Sequence, residues 1–274
     1  MRLRIAAISV AFITLVAGAL PAAAAPGEFH APRHFYLALG DSLAYGFQPN
    51  GVFNAGYVDD LSGRLGTVRP ITTVNYGCPG ETTSSFTALH CTSSLQPHDN
   101  YSGDQLDAAL AFLAAHQGQV SPITLDLGGN DLDDALLSCL GALDIAACIG
   151  ARLPTVLQGV ATNLDQILRQ LRGAAPRSEI LVLLYYNPFA VIPSLAAPTD
   201  LVVEDLNATI AQVAAAHGAR LADAFTPFNV TPPPGGLCPL VWLCTVFPDI
   251  HPTTAGYQEI ADQFWAASGY GQLD

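Results

Sequence analysis

No lysine occurs anywhere in the chain, so every permanent positive charge is an arginine. That excludes a P-loop, a lysine Schiff base and a Ser-Lys dyad together. Charge is also scarce and lopsided. Only 12% of residues are charged, and 23 acidic residues outweigh ten arginines to leave a formal net charge of −13. Such a surface repels phosphate backbones and anionic membranes, so a nucleic-acid partner is not expected. No CxxC pair and no Cys/His cluster at ligand spacing occurs, which argues against zinc. No G-x-S-x-G elbow occurs either, which argues against the α/β-hydrolase form of serine chemistry. No cofactor or metal is implied.

The apolar run that does occur lies at the start. MRLRIAAISVAFITLVAGALPAAAA has arginines at 2 and 4, apolar residues from Ile5 to Leu20, and small residues after Pro21. This is the layout of a secretory signal peptide, expected over residues 1–24. A membrane anchor is the alternative, but the run is short for the ~20 residues a span requires and lacks a charged stop. No later stretch is long enough to cross a bilayer. Residues 25–274 are then a secreted or periplasmic chain with eight arginines and a formal charge of −15, expected as a monomer, and of a length that fits one large α/β domain as well as two small ones.

Six cysteines in an exported chain favour disulfides, although six permit 15 pairings. They fall into three neighbouring couples, Cys78 with Cys91, Cys139 with Cys148 and Cys238 with Cys244, and these are the expected bridges.

Five short apolar runs read as strands: HFYLALG (34–40), PITTVNYG (70–77), PITLDLGG (122–129), SEILVLLYYNP (178–188) and ARLADAF (219–225). Continuous apolar runs suit strands of a parallel sheet covered on both faces. Between them lie helical stripes. Leu106, Leu110 and Leu113 share a face, as do Leu157, Val160, Leu164, Ile167, Leu168 and Leu171 in a helix expected to start just after Pro154. Leu206, Ile210 and Val213 form another, closed by Gly218, and a last helix is expected from about Thr253 to Ala267. Alternating strands and helices imply a doubly wound α/β/α sandwich with its ligand site at the carboxyl ends of the strands. The Pro/Gly-rich stretch 226–244 reads as a rim loop of that site.

Polar residues collect at those carboxyl ends: Gly40-Asp41-Ser42-Leu43, then Cys78-Pro79-Gly80-Glu81-Thr82, then Gly129-Asn130-Asp131, with His251-Pro252 near the end of the chain. Singly each has a plainer reading. Ser42 and Asn130 could be helix caps, Gly80 a turn glycine and His251 part of a surface turn.

Together, YLALGDSLAYG, NYGCPGETT, LDLGGNDL and IHPTTAGY, in that order, resemble the SGNH (GDSL-type) hydrolases. The resemblance spans the chain beyond the signal and implies a flavodoxin-like five-stranded parallel sheet. It also implies that Ser42 is the nucleophile and His251 the general base and later acid. The oxyanion hole would be formed by the backbone N–H groups of Ser42 and Gly80 with the Asn130 amide. A side chain at Gly80 would be expected to crowd the acyl oxygen.

One position departs from the pattern. The family commonly carries aspartate three residues before its histidine, where this chain has Pro248, while Asp249 lies at two. Either Asp249 reaches the imidazole through a shifted loop, or the main-chain carbonyl of Pro248 accepts from Nδ1. The spacing favours the carbonyl.

The reaction implied is hydrolysis of a carboxylic ester through an acyl-enzyme, by an esterase or lipase. A carbohydrate acetylesterase on the same fold and a catalytically inactive binding protein are the alternatives. Only two tryptophans occur, which favours lipids or small acyl esters over polysaccharide. Residues 239–243, between Cys238 and Cys244, could line an acyl pocket or pack beneath the rim. VIPSLAAPTDLVV after the fourth strand is a second candidate for the rim.

Overall fold

The computed structural model of the protein describes residues 31–139, 141–233 and 235–273. The expected signal peptide lies outside them.

The five apolar runs form the five strands: β1 (Phe35–Gly40), β2 (Thr72–Asn75), β3 (Val120–Asp126), β4 (Ile180–Leu184) and β5 (Arg220–Asp223). They make one parallel sheet in the order β2-β1-β3-β4-β5. Helices cover both faces. On one side α2 (Tyr57–Val68) packs against α7 (Thr254–Ser268), with the Tyr57 and Phe264 rings stacked at 4.7 Å. On the other, α5 (Ile145–Ala174) packs against α3 (Gln105–Ala115), α4 (Gly129–Cys139) and α6 (Pro193–Ala216). The expected three-layer fold is the one found.

The periodic residues explain why. Val160, Leu164, Ile167, Leu168 and Leu171 of α5 are all fully buried, each contributing roughly 1.5–3 kcal/mol of transfer free energy. Of the remaining stripe residues, Leu106, Leu113, Leu206 and Ile210 are buried as well, while Leu110, Leu157 and Val213 are partly buried against the core.

Two boundaries differ from expectation. Helix α5 begins at Ile145, capped by the Asp144 side chain accepting from Ala147 N–H, so Pro154 sits inside the helix. Proline suits the first turn of a helix because its missing N–H is harmless there; within a helix it instead removes one internal bond. Helix α6 begins at Pro193, well before the Leu206 stripe, because VIPSLAAPTDLVV is itself helical.

The strand order creates the site. From β1 the chain crosses to β2 on one side, then back to β3 on the other, so the carboxyl ends of β1 and β3 diverge around a crevice. The four-residue helix α1 (Ser42–Tyr45) leaves β1 on one side of it, and α4 leaves β3 on the other.

All three expected disulfides are present. Cys78–Cys91 holds the loop after β2, Cys139–Cys148 joins the end of α4 to the first turns of α5, and Cys238–Cys244 closes the loop preceding His251.

Candidate active site

Ser42 is the first residue of α1, held on a turn fastened from both sides. The Asp41 carboxylate caps the helix by accepting from Leu43 N–H at 2.8 Å. Asp126, the last residue of β3, accepts from the amides of Asp41 (2.8 Å) and Ala44 (3.3 Å) through one oxygen and from Tyr57 Oη (2.5 Å) through the other. Tyr185 Oη donates to the second Asp41 oxygen at 2.8 Å. Burial raises both carboxyls above the ordinary aspartate range, and the Asp41 charge drives Asp126 well above it. The signal for this bracing in the sequence is an aspartate inside the apolar run PITLDLGG.

His251 lies against the serine. Its Nε2 is 2.7 Å from Ser42 Oγ, and its Nδ1 is 2.5 Å from Asp249 Oδ1. Residue spacing alone favours the Pro248 carbonyl at Nδ1. The structure puts the Asp249 carboxylate there instead, because the chain turns back tightly: His251 N–H also donates to Asp249 Oδ1, at 2.9 Å. That local turn shortens the reach by one residue. Burial works to raise the Asp249 carboxyl, but the bonds and charge of His251 outweigh it and hold the group below its ordinary value.

The disulfide loop fixes the histidine from the far side. Trp242 N–H donates to His251 O at 3.0 Å, Thr253 N–H donates to Leu240 O, and Val241 bridges Pro252. Leu240 and Val241 are buried, and the Trp242 indole donates to Gln48. Leu240 and Val241 therefore pack beneath the rim, with Trp242 and Leu243 partly buried and Pro239 exposed, and the segment braces the histidine loop. Phe47 closes over the imidazole with ring centres 4.6 Å apart.

Asn130 lies in the first turn of α4, and its Nδ2 donates to Glu81 O at 2.9 Å. One amide hydrogen is thus used to orient the side chain, leaving the other for a ligand. Asp131 ties the same helix to the β2 loop by accepting from Thr83 N (2.8 Å) and Oγ1 (2.6 Å). Gly80 has φ of +86°, and an added Cβ would meet nothing within 4 Å. The requirement for glycine is therefore the left-handed backbone rather than crowding by the protein. Glu81 follows it, bonded to Ser85 Oγ and Gln105 Nε2, with burial pushing its carboxyl up to about 6. Gln105 also bonds both the N–H and the carbonyl of Gly40, linking the Gly80 loop to the nucleophile turn. No sequence motif had marked Gln105.

The site opens into a cavity of about 610 Å³ that Ser42, Asn130 and His251 line together. Its walls come from α4, α5 and α6, including Leu136, Leu153, Leu195, Val202 and Leu206. VIPSLAAPTDLVV is thus the segment that builds the apolar wall, through Leu195, Pro198, Thr199, Leu201, Val202 and Val203. The volume falls within the roughly 300–1,000 Å³ of small-molecule sites.

A five-stranded α/β/α fold with serine, histidine and asparagine gathered at its switch point defines the class, an ester hydrolase. The sequence model of the GDSL-like Lipase/Acylhydrolase family matches residues 38–259, and the chain belongs to that family. No curated protein matches it in sequence. Among solved structures it is similar to a lipase from a goat rumen metagenome (21% identity, TM-score 0.63, covering 88% of this chain and 99% of that one). It is similar also to an extracellular lipase from Streptomyces rimosus (20%, 0.61, 85% and 99%). An acetylxylan esterase from Geobacillus stearothermophilus has the same fold (17%, 0.60, 88% and 97%).

Proposed function

We propose that residues 25–274 form a single secreted serine hydrolase domain of lipase or carboxylesterase type, acting on acyl esters through an acyl-enzyme at Ser42. The observation that carries this reading is the unbroken chain Asp249–His251–Ser42 opening into an apolar cavity.

A serine hydroxyl attacks a carbonyl only when a base takes its proton, and His251 Nε2 is within hydrogen-bonding reach of Oγ. Asp249 at Nδ1 keeps the other ring nitrogen protonated and stabilises the imidazolium formed during attack. The tetrahedral oxygen is received by the backbone N–H groups of Ser42 and Gly80 and by the remaining Asn130 amide hydrogen. Loss of one such donor costs about 2.7–4 kcal/mol of transition-state stabilisation. The imidazolium then protonates the leaving alkoxide, and a water activated by the same histidine releases the acid.

The acetylesterase reading fits less well. An acetyl group would leave most of the leucine- and valine-lined wall unfilled, whereas a longer acyl chain covers it. Secretion is supported by the signal-like start of the sequence and by three disulfides, which persist in oxidising compartments.

The test is covalent trapping with an alkyl fluorophosphonate, in which serine Oγ bonds phosphorus and fluoride departs. Mass spectrometry should find one adduct, on the peptide containing Ser42, and none in Ser42→Ala. An adduct on a different residue, or none on the folded wild-type protein, would overturn the assignment.

A further inference from the structure

The cavity wall holds a carboxylate that the chemistry described above leaves unused. Asp133 lies three residues after Asn130 and three before Leu136 on α4, and all three line the cavity. Side chains at that spacing share a helix face, so the Asp133 carboxylate is displaced about 4.5 Å along the axis from the oxyanion amide.

The other polar groups of the lining are already engaged or face solvent. Asp41 is bonded by Leu43 and Tyr185, Tyr186 Oη donates to Ile250 O, and Thr199 Oγ1 donates to Leu195 O. Asp205 is exposed. Asp133 is half-buried, and among the described residues no hydrogen bond or ion pair engages its carboxylate. Burial pushes that carboxyl up to about 6, assisted by the Asp41 charge and opposed by His251.

A carboxylate set in an apolar wall is costly when a bound ligand shuts water out without replacing its bonds. It favours a ligand that brings a donor to it. Resting on the esterase reading above, we propose that Asp133 is a specificity-determining residue that accepts a hydrogen bond from a substrate hydroxyl close to the scissile carbonyl, selecting partial esters of a polyol over simple alkyl esters. The leucine-lined wall takes the hydrocarbon and Asp133 takes the free hydroxyl.

A hydrogen bond to a charged acceptor, set against a desolvated carboxylate left bare, corresponds to about a ten- to hundredfold preference. The test is the ratio of kcat/KM for glyceryl monooctanoate to that for methyl octanoate, measured on wild type, Asp133→Leu and Asp133→Asn, with thermal melts confirming that each is folded. The wild-type ratio should be about ten to a hundred. It should collapse toward one in Asp133→Leu and be partly kept in Asp133→Asn, which retains an acceptor oxygen. A wild-type ratio near one, or the same ratio in Asp133→Leu, would overturn the inference while the esterase reading stands. Absence of turnover of both esters by the wild type would overturn the two together.

Discussion

At the scale of single residues, the partner of His251 is where spacing and geometry part. Counting residues placed Asp249 one position short, and only the turn in which Asp249 Oδ1 receives both His251 N–H and Nδ1 brings it into reach. A backbone turn of that kind has no signature in a dipeptide count. Asp249→Asn should lower kcat by about 10⁴, because an amide at that point can present its N–H to Nδ1 and favour the wrong tautomer. Steady-state kinetics on any accepted ester decides it, and a loss below about tenfold would restore the backbone-carbonyl reading. Ser42 and Asn130 were legible because each follows an apolar strand run directly. Asp126, Gln105 and Tyr185 were not, because their contacts to the Ser42 turn and to Asp41 join residues 65 to 144 positions apart. Such pairs become neighbours only once the sheet is assembled.

Among elements, the strands were read nearly as they stand, since a doubly covered parallel sheet makes each strand a continuous apolar run. The helix starts were less legible. Pro154 marks no boundary, and the amphipathic stripe of α6 begins later than the helix does. The start of α4 shows how tightly element ends are fitted around the site. An added Cβ at Gly129 would stand 2.7 Å from Tyr185 Cε1, on the ring whose hydroxyl bonds Asp41. Gly129→Ala should therefore displace Tyr185 or tilt the helix carrying Asn130, lowering kcat at least tenfold and Tm as well. Gly159→Ala, on α5 where the same atom meets nothing within 4 Å, should instead stabilise by about 0.5–1 kcal/mol. Activity and calorimetry on the two variants check the contrast, and equal behaviour would refute it.

For the whole molecule, the division of labour follows from the fold. The sheet gathers Ser42, Gly80 and Asn130 from the ends of three strands, α7 and its disulfide loop deliver His251, and α4, α5 and α6 enclose the apolar space beside them. The cavity was the part least legible in the sequence. Two apolar rim segments looked equivalent, and only packing showed that 239–243 braces the histidine while VIPSLAAPTDLVV lines the wall. The central claim, that this site hydrolyses acyl esters whose chains enter that cavity, is tested most directly by kcat/KM across p-nitrophenyl esters of increasing acyl length. Each methylene that reaches the wall buries about 0.8 kcal/mol, or roughly a fourfold gain in kcat/KM. The account predicts a rise from acetate through butyrate to octanoate, with Ser42→Ala inactive throughout. A profile that peaks at acetate and falls with every added methylene would contradict it.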